Sequence, residues 1–120
     1  MEAPKIQMDY RYLGPTGMKV SVLGLGNMLT NYDEKDNDMF MESMRIALDA
    51  GVNYFDTAEG YGFGKAEELL GRAIKKFEIP RKDIVISNKV FFGTYYGPTN
   101  TYGLSRKHII ESTITGLERL

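Results

Sequence analysis

Apolar and polar positions along the chain form short β-branched runs that alternate with stretches of helical period and glycine-rich connectors. This is the pattern of a repeated βα unit around a parallel sheet. The expected strands are 22–26 (Val22-Leu23-Gly24-Leu25-Gly26), 52–56 and 84–89. They recur about every thirty residues, the length of one βα unit. Upstream, Tyr10-Arg11-Tyr12-Leu13 and Met18-Lys19-Val20 flank Gly14-Pro15-Thr16-Gly17, which predicts a β-hairpin closed by a four-residue turn.

Three helices are expected between and after these strands. The first opens at an N-cap among Asp36, Asn37 and Asp38, carries Phe40, Met44, Ala47 and Leu48 at helical spacing, and stops at Gly51. The second presents Ala66, Leu69, Leu70, Ala73, Ile74 and Phe77 as one apolar stripe. Its Glu67 and Glu68 lie at the positive end of the helix dipole, Lys75 and Lys76 at the negative end, and Pro80 prevents continuation. The third is capped by Ser105 and turns Ile110, Ile114 and Leu117 to one face, with His108 in its first turn read as a surface residue. The loop 91–103, with Tyr95, Tyr96 and Tyr102, has two readings: a lid or substrate wall, or ordinary aromatic packing.

At Leu117-Glu118-Arg119-Leu120 the helical pattern is still in phase, with no capping glycine, proline or polar tail. Three parallel strands alone also leave two open edges. Residues 1–120 are therefore expected to be the first part of a longer domain.

Composition narrows the functional classes. The 120 residues carry 15 basic and 16 acidic side chains, one His and no Cys. Such a balance lacks the clustered cations of a nucleic-acid or anionic-membrane binder. The absence of cysteine removes disulfide and thiolate chemistry, and a single His without a carboxylate cluster leaves no metal site. With no secretory leader and no run of about 18 apolar residues, a cytoplasmic protein without membrane insertion is expected.

The densest chemical signal is Asn53-Tyr54-Phe55-Asp56-Thr57-Ala58-Glu59-Gly60-Tyr61-Gly62-Phe63-Gly64, ahead of the second helix. Asp56 falls at the C-terminal end of a strand, where βα folds place ligands, Tyr61 follows in the same loop, and Lys89 ends the next strand. Individually, each has a plainer role: a loop or helix cap for Asp56, packing for Tyr61, a weak surface pair for Lys89. Together they make an acid–base set. A phenol ionises near pH ~10 and donates poorly at neutral pH unless a cation stabilises the phenolate. Lys89 is that cation, Asp56 holds it charged and oriented, and Tyr61 becomes a general acid for a carbonyl oxygen as hydride reaches carbon. Gly24-Leu25-Gly26 lacks the third glycine of a Rossmann phosphate loop.

Asp56-Thr57-Ala58, Tyr61-Gly62, Glu67 and Leu70-Gly71, with Lys89 closing the next strand, resemble the N-terminal signature of the aldo-keto reductases. The likeness extends from Tyr10-Arg11-Tyr12-Leu13-Gly14 through Leu104-Ser105-Arg106-Lys107-His108. Lys65-Ala66-Glu67, Ile74-Lys75-Lys76 and Leu117-Glu118-Arg119-Leu120 resemble the subgroup of voltage-gated potassium channel β subunits. The resemblance implies the N-terminal portion of a TIM-type (β/α)8 barrel: a capping β-hairpin and about three βα units of a fold that needs roughly 250 residues. It implies NADPH across the C-terminal face, with Gly26, Asn27 and Asp56 at the cofactor. It also implies a catalytic tetrad of which Asp56, Tyr61 as proton donor and Lys89 lie in this chain, the fourth member belonging beyond Leu120. Where the family often has Thr-Trp, Asn27-Met28 stands here.

Three functions follow from that likeness. One is reduction of a small-molecule aldehyde or ketone by the complete protein. Another is a tetrameric β subunit that binds a potassium channel's cytoplasmic domain with little turnover. The last is a short non-catalytic homologue serving as a structural component of an assembly.

Overall fold

The computed structural model describes residues 7–94 and 97–120, so Tyr95 and Tyr96 of the aromatic loop lie outside the described residues. Two sheets organise the chain. The antiparallel pair β1 (Tyr10–Tyr12) and β2 (Lys19–Ser21) forms the hairpin, with Tyr10 opposite Ser21. Its turn is a single 3-10 turn at Gly14–Thr16, closed by Gly17 at φ +76°, a conformation that costs glycine little. Thr16 Oγ1 donates to the Leu13 carbonyl at 2.7 Å and fixes that turn.

The second sheet is parallel, in the order β3 (Leu25–Gly26), β4 (Tyr54–Asp56), β5 (Val85–Ser87). Gly26 pairs with Asp56, and Asp56 with Ser87, so the three strands end level with one another. The first strand is shorter than the expected 22–26. The Val22 N–H bonds to the Asp9 carbonyl at 2.9 Å, which commits that residue to the hairpin, and the chain bends before Leu25. The second strand is shortened only at its start, still ending at Asp56, and the third at both ends.

Three helices follow: α1 (Glu34–Asp49), α2 (Lys65–Lys76) and α3 (Arg106–Arg119). The N-cap of α1 is Asp33, whose carboxylate accepts from the Asp36 N–H, and not Asp36, Asn37 or Asp38. Asp36 instead turns back, accepting from the backbone N–H groups of Asn31 and Tyr32 at 2.8 and 3.0 Å. These two bonds hold the Asp36 carboxyl below the usual carboxylate range. Phe40 and Met44 of α1, and Ala66, Leu69, Leu70 and Ala73 of α2, join Phe55, Val52 and Ile84 in the core, as the periodicity predicts.

In α3 the three apolar residues share one face as expected, but it is not the face turned towards the rest of this chain. Ile110, Ile114 and Leu117 are exposed, while His108, Ser112 and Gly116 face inward. His108 is a buried residue, not a surface one. The reason lies in what α3 meets. Glu59 and Glu67 are both buried and present carboxylates that need donors, so the helix turns its polar and small stripe towards them. Glu67, expected as a dipole-facing residue of α2, accepts from Arg119 Nη1 at 2.6 Å and from Asn88 Nδ2 at 2.7 Å. A Cβ on Gly71 would lie 2.0 Å from the Arg119 carbonyl oxygen, so α2 and α3 can cross this closely only over a glycine.

The hairpin sits at the end where β4 begins. Tyr10 donates to the Gly51 carbonyl at 2.7 Å, and Asn53 bonds Ser21 and Lys19 through its amide. The opposite end, where the parallel strands finish, is left to Asp56 and the loops. Among the described residues no helix is long and apolar enough to cross a membrane.

Candidate active site

Parallel pairing puts residues that are distant in sequence side by side at the strand ends. The pairing runs past β4 and β5, with the Thr57 N–H bonded to the Ser87 carbonyl and the Glu59 N–H to the Lys89 carbonyl. This brings Lys89 alongside Asp56. Lys89 Nζ donates to Asp56 Oδ2 at 2.5 Å and to the Thr57 carbonyl at 2.9 Å. The other Asp56 oxygen accepts from the Ser87 hydroxyl, which itself accepts from the Tyr54 hydroxyl at 2.9 Å. Asp56 is thereby oriented from both sides.

Tyr61 enters from the loop after β4, where Lys89 Nζ lies 5.0 Å from the centre of its ring. Partial burial by itself would lower the Lys89 ammonium. Hydrogen bonding and charge from Asp56 and Tyr61 outweigh that burial and hold it above the ordinary lysine value. The structure thus brings Asp56, Tyr61 and Lys89 into one cluster.

The turn that delivers Tyr61 has an unusual backbone. Gly62, Phe63 and Gly64 all have positive φ, at +58°, +54° and +92°. A side chain on Gly62 would meet the Tyr32 ring, whose Cδ2 and Cε2 lie 2.5 Å from where its Cβ would be. Tyr32 is itself anchored, its hydroxyl donating to the Asn27 carbonyl at 2.8 Å and accepting from the Leu29 N–H at 3.0 Å. Burial pushes the Tyr32 hydroxyl up, with the Leu29 bond opposing and neighbouring Tyr61 and Asp36 adding to the rise.

Of the residues expected at a cofactor, Gly26 pairs with Asp56 at the strand ends. Asn27 is 1% exposed, and its amide NH2 donates to the Ala66 carbonyl at 2.7 Å, so its side chain ties the end of β3 to α2. Asn27 Oδ1 and Thr57 Oγ1 are buried without a hydrogen-bond partner among the described residues.

A cavity of about 500 Å³ opens beside the cluster, walled by Met28, Phe63, Phe91 and Phe92, with Tyr61 and Lys89 at its edge. A larger hollow of about 810 Å³, beside Lys65, Arg72 and Lys75, touches none of Asp56, Tyr61 and Lys89.

Sequence reading passes over Glu59 and Ser112 and misplaces His108. Glu59 sits in the same loop as Asp56 and is bonded by Ser112 and His108 from α3. The signal was present as a spacing: His108, Ser112 and Gly116 recur every four residues, a polar and small stripe along one side of the helix.

The sequence and the fold have counterparts in known proteins. The model of the aldo/keto reductase family matches residues 22–120. An Arabidopsis thaliana protein named "Probable voltage-gated potassium channel subunit beta" is 46% identical over 114 residues, 94% of this chain and 34% of the relative. A Schizosaccharomyces pombe protein, "Putative voltage-gated potassium channel subunit beta", is also 46% identical over 114 residues, 94% of this chain and 33% of that one. Among solved structures, the holo form of an aldo-keto reductase from Bacillus halodurans superposes with a TM-score of 0.78 at 33% identity, covering 95% of this chain and 37% of the other. The chain spans about a third of the length of these channel-subunit relatives. Its hairpin and three βα units are the N-terminal portion of a TIM-type barrel, and the chain belongs to the aldo/keto reductase family.

Proposed function

We propose that the complete protein is an NADPH-dependent reductase of aldehydes or ketones, with Tyr61 as proton donor and Lys89 and Asp56 as its supporting pair. The observation that carries this reading is the Lys89 ammonium, held 2.5 Å from Asp56 and 5.0 Å from the centre of the Tyr61 ring. In this reading Tyr61 gives its proton to the carbonyl oxygen, and Lys89 stabilises the phenolate left behind. Asp56 keeps Lys89 charged and aimed, and Ser87 keeps Asp56 from rotating away.

The residues present fit the nicotinamide end of the cofactor. The Gly26 backbone is open, since a Cβ there would meet only the Asp56 carbonyl at 3.8 Å, and Asp56 is its direct partner across the two strands. Beside them lies the largely apolar cavity of about 500 Å³. The Asn27 amide NH2 is committed to the Ala66 carbonyl, which leaves its backbone and its Oδ1 for the cofactor. When bound, NADPH supplies the hydride that reduces the carbonyl carbon, and Tyr61 supplies the proton that completes the alcohol.

The test is NADPH oxidation by the complete protein with a simple aldehyde. Tyr61→Phe is expected to lower kcat by about 10²–10⁴ while leaving NADPH affinity unchanged. Turnover equal to wild type would sink the assignment of Tyr61.

A second reading is favoured by the two channel-subunit relatives at 46% identity. Here the complete protein acts in the cytoplasm as a homotetramer bound to a potassium channel's cytoplasmic domain, and turnover is slow. Co-purification with such a domain supports it; Asn in place of His as the fourth tetrad residue would point the same way.

A further inference from the structure

Glu59 is 2% exposed, yet it is an acid three residues from Asp56 in the same loop. Its Oε1 accepts from the backbone N–H groups of Phe91 at 2.7 Å and Gly93 at 3.1 Å, and faces His108 Nε2 at 3.0 Å. Its Oε2 accepts from the Ser112 hydroxyl. With the carboxylate ionised, His108 carries a proton on Nε2 and all four partners are donors. Burial alone would push the Glu59 carboxyl up, but the bonds from Ser112, His108, Phe91 and Gly93 prevail and hold it below the usual carboxylate range.

The two backbone groups it holds belong to the segment that walls the cavity. Phe91, Phe92 and Gly93 line it, and Phe91 and Phe92 pack edge to face with ring centres 5.0 Å apart. That segment lies directly on the Asp56 loop, since a Cβ on Gly60 would sit 3.3 Å from Phe92 Cβ. The α2–α3 crossing is secured separately, by Glu67 and Arg119. Glu59 therefore ties both the aromatic segment and the first turns of α3 to the Tyr61 loop.

We propose that Glu59 is a positioning residue that seats the Phe91–Gly93 segment over the Tyr61 loop and so sets the width of the cleft and the size of carbonyl compound it accepts. The size selectivity rests on the reductase reading above; the seating does not. A carboxylate is suited to this task because one buried oxygen can gather several converging N–H donors. Its loss leaves those donors unpaired and the segment free to lift.

Hydrogen exchange on the full chain tests the seating without cofactor or substrate. Glu59→Asp retracts the carboxylate by one methylene, and Glu59→Ala removes it. Each is expected to speed exchange at the Phe91 and Gly93 amides by about tenfold or more, with β4 unchanged. Glu59→Gln retains the Oε1 acceptor and is expected to stay near wild type. Should Glu59→Ala fail to fold, Glu59→Asp decides, and wild-type exchange at both amides in that variant overturns the proposal.

Turnover by the complete protein tests the selectivity. In Glu59→Asp the ratio of kcat/KM for a bulky aromatic aldehyde to that for acetaldehyde is expected to shift about tenfold through KM. An equal loss for both aldehydes overturns the selectivity. A wild-type protein without any turnover overturns the reductase reading, while the exchange result still decides the seating.

Discussion

Lys89 Nζ and Asp56 Oδ2 sit 2.5 Å apart although 33 residues separate them, because β4 and β5 are parallel neighbours whose ends coincide. The pair is half open to solvent, so its role is orientation and charge more than stability.

The charge state of Lys89 is accessible to measurement. Its folded value lies above the ordinary lysine value, so the pairing contributes below pH ~10.4 and is lost as pH rises through that raised value. Asp56→Asn removes the main stabilising partner and leaves the burial that opposes charge. The ¹³Cε resonance of Lys89 is expected to titrate at lower pH in Asp56→Asn than in wild type.

Arg119→Ala strands the Glu67 carboxylate, which has no solvent exposure, with Asn88 as its remaining side-chain partner. Breaking a buried pair from one side costs about 3 kcal/mol. Urea denaturation should show that loss, with a smaller one for the double variant Glu67→Gln/Arg119→Ala, in which the charge at position 67 is gone.

Gly62→Ala places a methyl group 2.5 Å from the Tyr32 ring at a position with φ +58°. Backbone strain of this kind costs about 1–3 kcal/mol, and displacement of Tyr32 adds to it. A lower Tm is expected. Tyr61-dependent turnover in the complete protein should fall further than the stability loss explains, because the same turn carries the phenol.

Asn27→Ala removes the bond from β3 to the Ala66 carbonyl. A stability loss of about 1–2 kcal/mol is expected in urea denaturation without cofactor. The same variant, titrated with NADPH as the complete protein, should bind with near wild-type affinity if Asn27 meets the cofactor through its backbone alone.

Much of the scaffold follows from local chemistry alone. The stripe Ala66, Leu69, Leu70, Ala73 is buried because a helix with that period can hide it in only one direction. Ser105 caps α3 because its hydroxyl can reach the His108 N–H within one turn. Asp56, Tyr61 and Lys89 are legible as a set because βα topology sends strand ends to one face.

What needed the tertiary structure is whatever depends on a partner far along the chain. Val22 left the first strand because Asp9 claimed its N–H. The face of α3 turned to Glu59 and Glu67 carries His108, Ser112 and Gly116, because those buried carboxylates need donors there. Apolar periodicity records which residues avoid water. It carries no record of which buried carboxylate will require a hydroxyl, an imidazole or a guanidinium, and that demand, costly to leave unmet, decided how α3 is turned.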